Sequence, residues 1–145
     1  MNTRPLMLSL AVAATLAAGC TQKAAAPQSD ANKLRTLGSL QFKPCSLPSP
    51  FPQGDPLEAQ CTTFAVPEDR SKQGGRTVAL NIAWIPPRNT SDPAADPVFF
   101  LAGGPGQAAV ATFPGLAPGF KDIMKDRGIV LVDQRGTGKS NPLNC

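Results

Sequence analysis

The chain has 145 residues, with 14 Lys and Arg against 10 Asp and Glu, no His, and a formal net charge of +4 at pH 7. That length holds one small domain. The cations are scattered among the acids, which excludes the concentrated basic footprint that nucleic acid needs, and without imidazole any histidine-based chemistry must draw its base from outside these residues.

In chain order, Arg4 precedes an apolar stretch from Leu6 to Ala18, followed by Gly19-Cys20. The run is too short to span a membrane, so residues 1–19 read as a secretory signal peptide. The ending "LAAGC" resembles the bacterial lipobox, in which small residues precede a cysteine that becomes the new N-terminus and takes lipid on its thiol. Here Ala17 occupies the position the box gives to Leu, and Leu16 lies one place earlier. The resemblance implies lipidation of Cys20 and an exported bacterial lipoprotein anchored to a membrane facing the periplasm. An ordinary cleaved signal with an Ala-x-Ala-like site and an unmodified Cys20 is the alternative. Residues Thr21 to Leu40 are rich in Ala, Gln, Ser, Asn and Lys, and read as a disordered tether.

Cys45, Cys61 and Cys145 follow. An odd count in an exported chain implies one disulfide and one thiol whose partner lies elsewhere. Cys45 and Cys61 flank "SLPSPFPQGDPLEAQ", a Pro-rich segment without periodicity, and a bridge between them would stabilise by about 3 kcal/mol in the chain-entropy model. A short strand over Thr62 to Val66, the polar turn "PEDRSKQGGR" and the alternating run Thr77 to Ile85 predict an antiparallel hairpin. Val98 to Leu101 and Ile129 to Val132 are continuous apolar runs, as in parallel strands covered on both faces. Between them a helix is expected over Phe120 to Asp126, with Gly128 as its C-terminal stop. Together these elements predict an α/β fold: an antiparallel opening hairpin, then parallel strands joined by a helical crossover. Ile129 to Val132 would present an exposed edge.

The stretch "VLVDQRGTGKSNP" ends as a phosphate-binding P-loop would begin to read. The position the P-loop pattern reserves for its first glycine is Asp133, where a carboxylate repels phosphate, and Asn141-Pro142 opposes the helix that must follow. A nucleotide binder is therefore the weakest function class. The loop's partner is "AGGPGQ", Ala102 to Gln107, which follows the earlier apolar run.

This pair of glycine loops, in this order, resembles the α/β-hydrolase fold, and more narrowly the proline iminopeptidase and tripeptidyl aminopeptidase group; the resemblance covers about Cys45 to Cys145. It implies that the backbone N–H groups of Gly103 and Gly104 lie at an oxyanion hole, with Pro105 and Gly106 fixing the turn. Many members carry His where this chain has Ala102. By the same resemblance Asp133, Arg135, Gly136, Gly138 and Ser140 are loop-structural residues, and Lys139 sits at a variable position. No Gly-x-Ser-x-Gly elbow follows a strand, and the family's serine, acid and histidine would come later. The expectation is thus the front portion, residues 41–145, of an exported serine hydrolase acting on a peptide or small acyl substrate, with no cofactor, metal, nucleotide or nucleic acid. A non-catalytic exported lipoprotein module is the alternative. Mass spectrometry of the mature N-terminus is expected to find a lipid-modified peptide beginning at Cys20; an unmodified peptide cleaved elsewhere removes the anchoring expectation.

Overall fold

The computed structural model describes residues 35–91 and 96–143. The signal segment, Cys20, most of the expected tether and Cys145 lie outside the described residues. Strand β1 (Arg35–Leu37) turns at Gly38, φ 58°, into β2 (Leu40–Leu47). Strands β3 (Leu57–Pro67) and β4 (Thr77–Ile85) follow, then β5 (Val98–Phe100), helix α1 (Ala109–Leu116), a 3-10 turn at Ala117–Phe120, helix α2 (Ile123–Asp126) and β6 (Ile129–Val132). They form one six-stranded sheet in the order β1-β2-β3-β4-β6-β5.

The expected α/β class is overturned. Of the five strand pairings four are antiparallel, and only β5 with β6 is parallel. The molecule is a curled, mostly antiparallel mixed sheet, a half-barrel, with helices of only eight and four residues. The reason lies upstream of the apolar runs. The last residues of the expected tether form β1 and open β2, and the ends of the Pro-rich segment are ladder residues, with Leu47 opposite Leu57 and Cys45 opposite Ala59. Strand β3 accordingly extends well beyond the expected Thr62 to Val66. Local antiparallel partners thus take up most of the strand residues, and three residues of β5 build little parallel sheet.

The hairpin of β3 and β4 runs in register from Pro67 opposite Thr77 to Gln60 opposite Trp84. Its turn is set by polar groups: the Asp69 side chain accepts from the N–H and hydroxyl of Ser71 at 3.0 and 2.6 Å, and Arg76 Nε donates to Glu68 Oε2 at 2.6 Å. The hydrogen bond from Arg76 holds the Glu68 carboxyl below its ordinary value. A depressed carboxylate gives stability that is present above its unfolded pKa and lost as pH falls through the folded one; this pair is fully exposed, so its share is small. A disulfide joins Cys45 to Cys61, with Cα atoms 5.8 Å apart. Because both cysteines sit inside paired strands, the bridge fastens β2 to β3 as well as closing the Pro-rich connection.

One face of the sheet presents Leu47, Ala59, Ala83, Ile85, Ile129 and Leu131, which pack with Ala109, Phe113 and Met124 from the helices. Phe113 is the hub: it is fully buried, with the Phe100 and Phe120 rings each 5.2 Å from its own. The expected helix is only partly present. Phe120 closes the 3-10 turn, Ile123 is exposed, and the longer helix α1, which carries Pro114, precedes it. Strand β6 has neighbours on both sides, so the edge strands of the sheet are β1 and β5 and not Ile129–Val132. Coverage on both faces fails too, since Phe99, on the opposite side from Phe100, is 62% exposed.

Gly128 is not the helix stop. Arg127, extended at φ −119° and ψ 136°, ends α2, and a Cβ on Gly128 would lie 2.5 Å from Trp84 Nε1. Glycine is needed there because the indole lies against the backbone, with the Arg35 guanidinium 4.0 Å from its ring centre. Gly128→Ala is expected to destabilise by about 1–3 kcal/mol through overpacking. Urea unfolding in a double-mutant cycle with Trp84→Leu checks it: the cost should shrink when the indole is gone.

Candidate functional site

Both glycine loops leave the sheet at the C-terminal ends of its two parallel strands, so residues 102–107 and 133–140 emerge at one edge. What joins them is Asp133. Its side chain is 1% exposed; Oδ1 accepts from Val110 N at 2.9 Å, and Oδ2 accepts from Asn81 Nδ2 at 2.8 Å and Lys139 N at 3.2 Å. Helix α1 has no side-chain cap of its own and no acid in its first turn. Asp133 therefore caps α1 from another loop, a position where negative charge also meets the positive end of the helix.

Ser140 completes the junction. As β6 turns away from β4 beyond Val132, Asp133 N still donates to Asn81 O at 3.0 Å, and the Ser140 hydroxyl accepts from Asn81 N at 2.8 Å. The same hydroxyl donates to Asp133 O at 2.8 Å. Ser140 is fully buried and both of its hydrogen-bonding roles are occupied, so it is no nucleophile. Two turns shape the loop between, Thr137 N donating to Gln134 O at 3.0 Å and Ser140 N to Thr137 O at 2.9 Å. Gly138, φ 51°, is obligatory: a Cβ there would lie 2.4 Å from Asp133 Oδ2 and 2.6 Å from Ala108 Cβ. That contact brings the second loop against the residue just before α1. Gly136, φ 83°, faces Leu143, and Arg135 reaches back to donate to Pro67 O at 3.2 Å.

The first loop is exposed from Gly103 to Gln107. Its path needs glycine at Gly104, φ 123°, and Gly106, φ 90°, and Gln107 N donates to Gly103 O at 3.3 Å. The peptide between Gly104 and Pro105 is cis. No hydrogen bond among the described residues engages the N–H of Gly103, Gly104 or Gly106. A groove of about 510 Å³ lies elsewhere, across β2, β3 and β4, and touches this network only through Asn81.

Sequence reasoning named Asp133 and Ser140 but missed Asn81, which reads as an outward residue of an alternating strand and is buried because the loop folds over it. It also missed the N–H of Val110, a main-chain group on a helix whose Pro114 and Gly115 argue against it in the sequence. No known family model matches the chain, and no curated protein matches it.

Asp133→Ala removes the acceptor for three N–H donors, and leaving such groups unpaired costs about 1–3 kcal/mol each. Asp133→Asn retains one acceptor oxygen and should cost less. Unfolding midpoints are expected to fall in the order wild type, Asn, Ala, with the Val110 amide exchanging faster in both variants.

Proposed function

We propose that the chain is the front part of an exported serine hydrolase, an aminopeptidase that releases N-terminal amino acids or short peptides, to which residues 102–107 contribute oxyanion donors. The observation that carries this reading is the exposed Gly103–Gly106 loop, its N–H groups unengaged among the described residues, held beside a second glycine loop by Asp133. Attack on a peptide carbonyl places negative charge on oxygen, and a preset backbone donor is worth about 3–4 kcal/mol at that moment. Glycine admits the substrate oxygen to the backbone, and the donors being main-chain groups, Ala102 is no obstacle. The support is the loops and their mutual placement; the class of the sheet contributes nothing to it. Lipid on Cys20 would hold the protein at a membrane surface.

The nucleophile and base come from other residues, because this chain has no His and the Ser140 hydroxyl is buried and already hydrogen bonded. The same lack of histidine favours the second reading, an exported module that binds without catalysis.

The test compares the 145-residue chain with the product of the reading frame continued past codon 145, assaying release of aminoacyl and tripeptidyl chromogenic groups. The chain alone should show no turnover, since what remains of a hydrolase without its triad is donor and binding contribution only. The longer product should release the group, lose activity to a serine-reactive phosphonate, and lose about 100-fold in kcat when Gly103, which is not among the positive-φ glycines and whose Cβ would meet open space, is replaced by Pro to remove its N–H donor. Turnover by the purified short chain that survives the inhibitor control defeats the proposal.

A further inference from the structure

The groove of about 510 Å³ is lined by Gln41, Lys43 and Pro44 of β2, Cys61, Thr62 and Thr63 of β3, and Asn81 of β4. Its size falls within the range of small-ligand sites, about 300–1,000 Å³. Its chemistry is one-sided. Lys43 is the single charged residue of the lining, no carboxylate accompanies it, and Lys43 forms no ion pair among the described residues. Lys43 lies directly opposite Cys61 across the ladder, on the part of the sheet that the Cys45–Cys61 bridge fixes. On the same face of the sheet are the hydroxyl of Thr63 and the carboxamide of Gln41, which both donate and accept, while Thr62, one residue out of phase, lines the groove without turning its side chain to that face. At the inner end Asn81 has committed its Nδ2 to Asp133, which leaves its Oδ1 as the acceptor it can offer a ligand.

A lone cation, flanking donors and one inner acceptor fit an anion that carries its own N–H. We propose that this groove binds the C-terminal end of a short peptide, its carboxylate on Lys43 and the Thr63 hydroxyl, an amide N–H toward Asn81 Oδ1. The site stands on the groove and its lining alone and is independent of the hydrolase reading. It has one consequence for the loops: Asn81 joins the groove to Asp133 at 2.8 Å, and Asp133 holds Val110 at 2.9 Å, so occupancy is felt at the start of α1.

The experiment is an NMR titration of the full chain with acetyl-Ala-Ala bearing a free carboxylate, with its C-terminal amide and with sodium acetate as separate arms. The free acid should shift the amides of Lys43, Thr63 and Asn81 saturably, with a smaller shift at Val110, and binding should weaken with added salt. The amide form and Lys43→Met should each bind at least threefold more weakly, the variant keeping its dispersed spectrum. Thr63→Val serves as a second variant, expected to lose affinity without loss of charge. Equal binding of the amide form or of Lys43→Met, acetate binding as well as the peptide, or shifts confined to residues outside the groove overturns the proposal.

Discussion

The arrangement of the two glycine loops depends on one buried side chain, Asp133. A carboxyl group out of water must have its oxygens satisfied or it destabilises the fold. Here one oxygen holds the first turn of α1 and the other holds β4 through Asn81 and the loop through Lys139. Three segments far apart in sequence therefore meet at one atom pair. Gly138 must be glycine to let that meeting happen, and Ser140 must be a small hydroxyl residue to complete the ladder where β6 departs. The acid that stands where a P-loop would have its first glycine is what makes this loop a structural junction.

The sequence was most legible where a pattern is local. The alternation of Thr77–Ile85 gives β4 with its observed bounds, and the two cysteines flanking the Pro-rich stretch are bonded to one another. It was misleading where an element borrows its partner. Leu40–Leu47 contains Pro44 and three polar residues and has little strand character of its own; it becomes β2 by pairing with Leu57–Cys61 and by the disulfide. Once those residues count as sheet, antiparallel pairs dominate, and the α/β class fails. The crossover shows the same limit. The apolar spacing of Phe120, Ile123 and Met124 marks a real turn of helix, yet α1 was hidden because Pro114 and Gly115 argue against a helix that Phe113 nonetheless secures by complete burial.

The site divides in the same way. Glycine spacing made both loops visible, because positive φ and close approach leave a chemical trace in the residue type. The donor of the decisive contact, the Val110 N–H, leaves none, since a main-chain group belongs to every residue except proline. Asn81 was equally silent: a strand position of even alternation reads as solvent-facing until a distant loop covers it.

These anchors bear on how a loop so exposed can hold a geometry at all. Residues 102–107 leave β5, whose pairing with β6 fixes their start, and they enter α1, whose Val110 N–H Asp133 holds. Between those two points the chain has few conformations left, because Gly103 O already accepts from Gln107 N. Glycines are usually the freest residues of a chain, and that freedom is an entropic cost when a group must be aimed. Pinning both ends removes most of it without placing any side chain in the loop's way. Donors aimed in advance lose less on reaction than donors that must reorganise, so a glycine loop between two rigid anchors combines close access with orientation. In the proposed hydrolase that combination would fall to a buried acid beneath the loop, Asp133, and to the glycines Gly103–Gly106 within it.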